Sequence, residues 1–470
     1  MKIRHQLPTT PSDGSDPFLN CKLQRREYAE VLTSIVDSYA EGFVLAINNK
    51  WGTGKSTFVR MWEQYLKNEK FSTLYFNAWE NDFQPEVMIA LLSELSELRE
   101  KGSSDFDPVL KKAARFLKKA APAVAKGVAA KALGNEAVSE VIAAAVEFTA
   151  EELEQQIESY AQAKRGIVDF RTSLETFVQK VDDDRPVVFI IDELDRCRPD
   201  YAVKILENIK HLFSVPGIVF VLSIDKVQLG HAVRGFYGSD SIDADEYLKR
   251  FIDLEYQLPE PDRKVFVQYL LNYYDFDSFL KSTDRVGGRE FKNDKDTLLN
   301  ISQLLFSHSE FTLRQIDKCF SRIRLTLKTF LANQFIYPEI IVFLAYLFEK
   351  ERDLYKKIEE GKYNIPEFLE VFDIIFLKLN NGLNRRQILN VYSSLLFKYA
   401  NQLNENSRSG RIEPLIRNQG QTFVMNFESK FEDEHNSFAN AVAFQSNNHY
   451  ISDITLDFIQ KRYSLSQNLH

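Results

Sequence analysis

Phosphate-binding chemistry is suggested by one short stretch, "AINNKWGTGKSTFVRMW", which runs from Ala46 to Trp62. A phosphate-binding loop has the pattern Gly, four residues, then Gly-Lys-Ser or Gly-Lys-Thr, and Gly54, Lys55 and Ser56 fill its second half. The main-chain N–H groups of such a loop surround phosphate oxygens, and the start of the following helix adds positive potential. We therefore expect the loop to bind a nucleoside triphosphate, with Lys55 neutralising the β- and γ-phosphates.

The first position of the pattern is an exception, because Asn49 stands where a glycine is expected. Among non-glycine residues, asparagine enters left-handed backbone conformations readily. The substitution is therefore expected to reshape the loop entrance without destroying the loop. The predicted nucleotide-binding residues are Asn49, Lys50, Trp51, Gly52, Thr53, Gly54, Lys55, Ser56 and Thr57.

A second stretch, "VVFIIDELDRCRPD", supplies the acidic groups that a magnesium nucleotide needs. Asp192 follows five apolar residues, so it is predicted at the C-terminal tip of a strand, where ligands bind in open parallel sheets. Asp192 and the Ser56 hydroxyl are the predicted Mg²⁺ ligands. Glu193 is placed to polarise an attacking water as a general base. The alternative is that these acids only cap the next helix.

Four further residues near the strand ends are candidate sensors. Asp195 and Arg196 could either organise the Mg²⁺ site or form a local ion pair, and both interpretations stay open. Ser223 and Asp225 end the next apolar stretch, in "VLSIDK", and one of them is a candidate sensor of the γ-phosphate.

Strand and helix patterns alternate over the first half of the chain. Short apolar runs such as "GFVLAIN" and "GIVFVLSIDK" alternate with helical patterns, which predicts an α/β fold with a parallel sheet covered on both faces. After about residue 260 the strand signals nearly vanish and helical patterns dominate. The predicted divisions are residues 1–18 as a leader, 19–260 as a core with a helical insertion at about 104–180, 261–335 as a helical lid or sensor region, and 336–470 as an α-helical C-terminal domain.

Composition and charge narrow the class of protein. The 470 residues carry a net charge of −8, so a basic field for duplex nucleic acid is not built into the whole chain. The three cysteines are far apart and predict neither a disulfide framework nor a metal cluster, which favours a reducing cytoplasm. No signal peptide pattern and no run of 18 apolar residues is present, so no transmembrane span is expected.

A basic segment, "LKKAARFLKKAAPAVAKGVAAKAL", runs from Leu110 to Leu133 and is called here the basic helix. Its stretch Lys111–Lys131 could contact an anionic membrane surface or nucleic acid, but a helix packed by its apolar face with solvated lysines outside is favoured. At 100° per residue, one face is predicted to carry Lys111, Lys112, Arg115, Lys118 and Lys119. The opposite, apolar face is predicted to carry Leu110, Ala114, Leu117 and Ala121.

Several ordered motifs together resemble those of the KAP family of P-loop NTPases, over roughly residues 19–330. They are "NKWGTGKST", "FNAWEND", "IDELDRC", "EYLKRFIDLEYQLP" and "FTLRQIDKCF". The chain departs from the family pattern at Glu193, where a second aspartate is expected, and at Leu313, where a proline usually precedes the arginine. The resemblance implies an additional-strand P-loop NTPase core related to the STAND and AAA+ groups. Many members carry transmembrane helices between the two main motifs, but the segment there is too charged to span a bilayer.

The resemblance also suggests roles for two arginines. Arg250 matches a basic residue of the family motif and could act as a finger on a nucleotide, its own or a neighbour's, or could be a surface arginine on an amphipathic helix. Arg314 could reach the γ-phosphate from the helical region, as second sensors do. The implied catalytic residues are Glu193, Lys55, Arg250 and Arg314.

The nucleotide is expected to be ATP with Mg²⁺, because the base-reading Asn-Lys-x-Asp pattern of GTPases is missing. The main hypothesis is an ATP-driven switch or motor subunit that forms a homo-oligomer, works with a separate effector protein, or both. For bacterial members the resemblance also implies a link to defence against phages. Two alternatives stay open, a nucleotide-gated scaffold with little hydrolysis and a DNA-engaging ATPase.

Overall fold

The computed structural model describes most of the chain in two compact units, one ending at Glu260 and the other beginning at Pro261. The described residues are 16–19, 21, 23–39, 42–102, 106–115, 150–182, 184–286, 288, 291–307, 311–380, 384–406, 411–417, 423–446 and 454–464.

The first unit is built on a five-stranded sheet in which every paired neighbour is parallel. Its strands lie in the order β2-β3-β4-β1-β5, so β4 separates β1 from β3. This is the additional strand that the resemblance implied, and the predicted α/β fold class is confirmed. The strands are β1 (Phe43–Asn48), β2 (Thr73–Asn77), β3 (Val187–Asp192), β4 (Ile218–Ile224) and β5 (Leu254–Gln257).

Helices accompany the sheet in the order that the sequence pattern predicts. Shorter turns of 3₁₀-helix lie at Ser96–Leu98 and Leu194–Arg196, a π-helical turn lies at Ile209–Phe213, and residues 106–115 are also helical. The α-helices of this unit are α1 (Arg26–Asp37), α2 (Lys55–Asn68), α3 (Val87–Leu95), α4 (Arg99–Gly102), α5 (Ala150–Val181), α6 (Pro199–Asn208), α7 (Lys226–Tyr237) and α8 (Ala244–Leu248).

Two buried clusters, one on each face, fix the sheet between its helices. Phe43, Leu45 and Ile47 of β1 belong to the cluster that also contains residues of α1 and α2. Val44 and Ala46 belong to the other, with residues of α3, α5 and α6. Successive side chains of a strand point to opposite faces, and each large apolar side chain contributes roughly 1.5–3 kcal/mol when fully buried. Packing on both faces therefore fixes the strand register and with it the level at which each strand ends.

The basic helix packs by a different face from the one predicted. In its described part, Phe106, Val109 and Ala113 are buried, whereas Leu110 is 40% exposed and Ala114 is exposed as well. The predicted apolar face through Leu110 and Ala114 is therefore wrong. The helix starts earlier than the basic segment suggests, and the large side chains of its first turn decide which face is buried.

The basic side chains of that helix are only partly described. Lys111 and Arg115 are exposed, and the Lys112 Nζ lies 3.3 Å from a carboxylate oxygen of Asp169 on α5. Residues 116–149, with the predicted face through Lys118 and Lys119, lie outside the described residues. Contact with a membrane surface or nucleic acid through this segment stays a prediction. Among the helices that the structure describes, none has the length and apolar character to cross a bilayer.

The second unit is mainly helical, with one small hairpin that the sequence did not predict. Strands β6 (Leu415–Arg417) and β7 (Phe423–Met425) pair antiparallel, and three residues each are too few to give a clear alternating pattern. The helices are α9 (Arg263–Tyr273), α10 (Asp277–Leu280), α11 (Thr283–Val286), α12 (Asp294–Phe306), α13 (Leu313–Leu327), α14 (Pro338–Lys350), α15 (Arg352–Glu359), α16 (Ile365–Leu379), α17 (Arg385–Asn406), α18 (Ser437–Ser446) and α19 (Leu456–Tyr463).

A buried lysine lies inside this helical unit. Lys398 of α17 is 0% exposed, and its Nζ lies 4.0 Å from the centre of the Tyr337 ring. Burial lowers the pKa of Lys398 to about 8, against the opposing effect of the nearby Glu339 carboxyl. Burial also raises the pKa of Glu339, which accepts a hydrogen bond of 3.0 Å from the Ser394 hydroxyl. Burial thus shifts the pKa of each group in the direction of its neutral form.

This arrangement predicts a pH-dependent stability of the chain. An unfolded lysine has a pKa of about 10.4, so between pH 8 and pH 10 the unfolded state binds more protons at Lys398, and stability rises with pH. Below pH 8 both states are protonated and the penalty for burying the charge is complete. Lys398→Met should remove this rise, which is on the order of 3 kcal/mol.

Chemical denaturation of wild type and variant at several pH values measures the effect. The exposed Lys356, replaced by Met, is the matched control and should keep the wild-type slope. A Lys398→Met protein whose stability follows the wild-type pH curve would contradict the assignment.

Candidate functional site

The loop between β1 and α2 has the backbone geometry of an anion-binding turn. Gly52 and Gly54 have φ values of 77° and 83°, which a residue with a Cβ adopts only with strain. Gly54 also forms the N-cap of α2, so the first N–H groups of that helix follow the loop directly. Helix N-termini attract anions because their N–H groups have no partner within the helix.

Asn49 fixes the loop entrance through its side chain. Its Nδ2 donates to the Leu258 carbonyl at 2.8 Å, and its Oδ1 accepts from the Lys50 N–H at 2.7 Å. The residue is 2% exposed and does not have a positive φ. The explanation from left-handed backbone preference is therefore wrong. An asparagine serves here because its amide offers both a donor and an acceptor, and glycine has neither.

Lys55 lies at the start of α2 with its ammonium group inside the loop. Its Nζ donates to the carbonyl oxygens of Asn49 at 2.6 Å and Lys50 at 3.1 Å, and only 8% of the residue is exposed. Burial lowers the pKa of Lys55, while the carboxylates of Asp195 and Asp225 raise it. These acids help to keep the ammonium charged in a site with little water.

Trp51 connects the loop to the ends of β3 and β4. Its indole Nε1 donates to the Asp195 carboxylate, and its main-chain N–H donates to Asp225 Oδ2 at 3.1 Å. The same Asp195 oxygen also accepts from the Asp225 N–H at 3.0 Å. Burial raises the pKa of Asp195, and Lys55 and these donors oppose the rise. Asp195 therefore holds the loop in place, a role that neither of the two sequence-based interpretations included.

The start of α2 and the end of β3 meet at the predicted magnesium ligands. Ser56 Oγ lies 3.5 Å from Glu193 Oε1, and Asp192 directly precedes Glu193 at the end of β3. Asp192 is 1% exposed, and its carboxylate accepts from the Tyr75 hydroxyl at 2.8 Å and from the Glu193 N–H at 2.9 Å. The contact thus brings the Ser56 hydroxyl beside the end of β3, where Asp192 and Glu193 lie.

Glu193 has an unusual backbone and one cationic partner. Its φ is 59°, a left-handed value that is uncommon for a residue other than glycine and that often occurs at functional sites. Glu193 Oε1 lies 2.9 Å from the Arg196 guanidinium, which also lies over the Trp79 ring at 5.7 Å. Burial raises the pKa of Glu193, and Arg196 lowers it. The sequence left open whether Asp195 and Arg196 organise the Mg²⁺ site or form a local ion pair. Arg196 does form a local ion pair, but with Glu193.

The two candidate sensors on β4 have different surroundings. Ser223 is fully buried and pairs with Asp192 in the sheet register, and its hydroxyl has no hydrogen-bond partner among the described residues. Asp225 follows the strand as the N-cap of α7 and accepts from the Gln228 N–H at 3.3 Å. The Asp225 carboxylate thus already accepts hydrogen bonds from the loop and from the first turn of α7. The Ser223 hydroxyl has no such partner among the described residues.

Arg250 lies near the N-terminal ends of the strands, whereas the loop follows the C-terminal end of β1. It is exposed and follows α8, shortly before β5 begins at Leu254. Leu254 pairs in parallel with Leu45, near the start of β1, whereas the loop follows the end of β1 at Asn48. At about 3.3 Å per residue the paired stretch alone separates the two levels by roughly 10 Å. This placement disfavours a finger on the chain's own nucleotide and leaves the neighbouring subunit and the surface as alternatives.

The remaining predicted residues are placed as follows. Thr53 is buried, and its hydroxyl donates to the Lys50 carbonyl at 2.8 Å, while the Lys50 side chain is exposed. Thr57 is partly buried in the first turn of α2. Arg314 belongs to the second unit, where it is exposed in the first turn of α13. Its contact with a γ-phosphate stays a prediction.

Two residues in this site were missed by sequence analysis. Arg25 donates to the Thr53 carbonyl at 2.8 Å and to the Gly54 carbonyl at 2.9 Å. Tyr75 donates to Asp192 from the neighbouring strand. Neither has a local sequence signal, because each acts on a partner that only the folded sheet brings near.

The contacts of Asn49 predict the effect of restoring the usual glycine. Asn49→Gly removes two side-chain hydrogen bonds, one buried and one partly buried, and each contributes about 1 kcal/mol to stability. Because φ is not positive, glycine brings no relief of strain, and it costs further chain entropy. We expect a lower free energy of unfolding, measured by denaturant titration, with nucleotide binding retained. Asn49→Ala separates the side-chain loss from the backbone effect, and an Asn49→Gly protein at least as stable as wild type would contradict this role.

Comparisons with known proteins agree with this geometry at the level of the family. A model of the KAP family P-loop domain matches residues 25–330, which is more than half of the 470-residue chain. Among solved structures, one match is to the Aeropyrum pernix ORC2 protein in ADPNP–ADP complexes, with 12% identity, 94% of this chain and 95% of that chain covered, and a TM-score of 0.34. Among curated proteins there is no match. The chain belongs to the KAP family of P-loop NTPases, a nucleotide-binding family.

Proposed function

We propose that this chain binds ATP with Mg²⁺ and hydrolyses it, and that the resulting change makes it an ATP-driven switch. One observation carries the proposal. The Ser56 hydroxyl at the start of α2 and the Glu193 carboxylate at the end of β3 come within 3.5 Å of each other, directly beside the loop that contains Lys55. This contact supports assigning the phosphates, the magnesium ion and the base to one place.

The loop and Lys55 would hold the phosphates. The N–H groups of the loop and of the first turn of α2 supply donors, and the Lys55 ammonium supplies a charge within the same turn. Lys55 now donates to two loop carbonyls, and a phosphate in the loop offers stronger, charged acceptors for the same donors.

The oxygen ligands fit a magnesium ion. Magnesium in nucleotide sites is held by one or two protein oxygens together with water and phosphate, and Ser56 with Asp192 supplies such a pair. Among the described residues no cluster of three or more His, Cys, Asp or Glu could hold a metal, so the fit rests on this pair and on the phosphates. When bound, the ion would neutralise charge on the phosphates.

Glu193 is the group best placed to accept a proton from water. Partial burial raises the pKa of its carboxylate, and a base works best when its pKa approaches the pH of the reaction. The Arg196 ion pair opposes this effect and keeps the carboxylate at a fixed place. A general base contributes a factor of about 10²–10⁴ to the rate.

Other parts of this proposal do not rest on the geometry of the site. The choice of ATP rests on the missing base-reading pattern of GTPases, and the cytoplasmic location on the three scattered cysteines. Self-association or a separate effector protein, and a role in defence against phages, rest on the family resemblance. The exposed position of Arg250, away from the loop of its own chain, fits contact with a neighbouring subunit. A scaffold that binds nucleotide without turnover is the second candidate, because the loop could hold a nucleotide without Glu193 acting as a base.

Lys55→Ala tests nucleotide binding. Loss of the ammonium removes a cation that contacts the carbonyls of the loop entrance, so we expect ATP affinity to fall below detection in titration calorimetry, with the thermal unfolding midpoint preserved. The matched control is Lys67→Ala, an exposed lysine near the other end of α2 that pairs with Glu63. Unchanged ATP affinity in the Lys55 variant would rule out the loop as the binding site.

Glu193→Gln separates the switch from the scaffold. The amide keeps the shape and the contact with Ser56 but cannot accept the proton, so binding should persist while ATP turnover falls by about 10²–10⁴. Phosphate release measures turnover, and calorimetry measures binding in the same preparation. Turnover equal to wild type would exclude Glu193 as the base, and a wild type that binds ATP without turnover would favour the scaffold.

A further inference from the structure

A buried arginine lies behind the phosphate-binding loop and donates hydrogen bonds to two main-chain carbonyls of that loop. Arg25 directly precedes α1 and is 3% exposed. Its guanidinium donates from one nitrogen to the Thr53 carbonyl at 2.8 Å and from the other to the Gly54 carbonyl at 2.9 Å. The two acceptors are consecutive, so the planar fork of the guanidinium fits two successive peptide groups at once.

These two contacts decide where the loop N–H groups point. The chain has no cis peptide bond among its described residues, and in a trans peptide the C=O and the N–H point in opposite directions. The Thr53 carbonyl belongs to the same peptide group as the Gly54 N–H, and the Gly54 carbonyl to the same group as the Lys55 N–H. Because both carbonyls face Arg25, both N–H groups face the other way, toward the concave side of the loop.

Among the described residues no carboxylate lies within 4.0 Å of the Arg25 guanidinium. Burial lowers the pKa of Arg25, and the more distant Glu260 carboxylate opposes this effect. The guanidinium also lies 5.9 Å from the centre of the Phe58 ring. A buried cation without an ion-pair partner is costly, and a phosphate on the other side of the same two peptide groups would offset that cost.

We propose that Arg25 is a positioning residue for phosphate, which aims the N–H groups of Gly54 and Lys55 at the bound nucleotide and adds positive potential behind them. The proposal rests on the nucleotide-binding function proposed above. It concerns the phosphates and not the base, so it applies equally to ATP and to inorganic triphosphate. Arg25 touches neither the substrate nor the reacting atoms.

Substitution at Arg25 should therefore weaken phosphate binding more than it weakens the fold. Arg25→Gln removes the charge and one of the two hydrogen bonds. A hydrogen bond to a charged group corresponds to roughly a 10- to 100-fold change in affinity, so we expect ATP and inorganic triphosphate to bind weaker by that factor. The KM for ATP should rise by a similar factor, with kcat at saturation changed less. Arg25→Lys keeps the charge with one donor group and should recover part of the loss.

The experiment measures displacement of a fluorescent ATP analogue by ATP and by inorganic triphosphate, with thermal unfolding followed in parallel. The matched control is Arg26→Gln, because Arg26 is the next residue, is exposed and pairs only with Asp16 and Glu30 on the surface. This control should leave both affinities at the wild-type value. If Arg25→Gln does not fold, the comparison of Arg25→Lys with wild type carries the test.

The outcomes distinguish this proposal from the proposed function. An equal loss for ATP and inorganic triphosphate, partly recovered by lysine, supports phosphate positioning. Wild-type affinities in a folded Arg25 variant overturn it and leave nucleotide binding intact. A loss for ATP with inorganic triphosphate unaffected also overturns it, since Arg25 would then act on the base. A wild-type protein that binds neither ligand overturns both proposals.

Discussion

The parallel register of the central sheet is the constraint on which the candidate site depends. Asp192 pairs with Asn77 on one side and with Ser223 on the other, so three strands end at one level. The loop leaves β1 at the same level, where Asn48 pairs with Ile224. A slip of one residue in any strand would turn its side chains to the opposite face. The apolar residues on both faces prevent that slip, and in this way packing far from the loop positions the polar groups beside it.

The loop is held at both ends by groups that belong to other elements. At its entrance the Asn49 side chain bonds to the carbonyl that follows β5, and Trp51 bonds to carboxylates that follow β3 and β4. At its exit Arg25 holds two consecutive carbonyls. A site held in this way loses little conformational freedom when a ligand arrives, which improves affinity and orientation. Through the same contacts, a movement of the loop would displace the residues that follow β3, β4 and β5.

Much of this arrangement was predictable from sequence, and the exceptions have physical reasons. The alternation of apolar strands with helices predicted the parallel sheet, and the positions of Lys55 and Asp192 followed from motifs next to strand ends. The role of Asn49 was not predictable, since it depends on a carbonyl more than 200 residues away in sequence. The role of Arg25 was not predictable either. The adjacent Arg26 is the same residue type but lies on the surface, and nothing in the sequence separates the two.

The basic helix and the short hairpin show two further limits of prediction from sequence. A helical projection predicts the buried face only from the residues included in it. The projection of the basic helix began at Leu110, so it did not include Phe106 and Val109, and it predicted the wrong buried face. In the hairpin, three-residue strands carry too little pattern to be separated from loop. Local patterns therefore located the elements and the motif residues, and long-range polar contacts determined how those residues are held.

The tryptophans give the chain an optical property that follows directly from where they lie. Of the three in the sequence, Trp62 is fully buried, and its indole donates to Thr33 within the packed face of α1 and α2. Trp51 and Trp79 are 41% and 52% exposed, and both contact charged groups of the site, Asp195 and Arg196. Indole emission depends on solvent exposure and on nearby charge. We therefore expect the red-shifted part of the intrinsic fluorescence of this protein to originate beside the loop that follows β1, without any label.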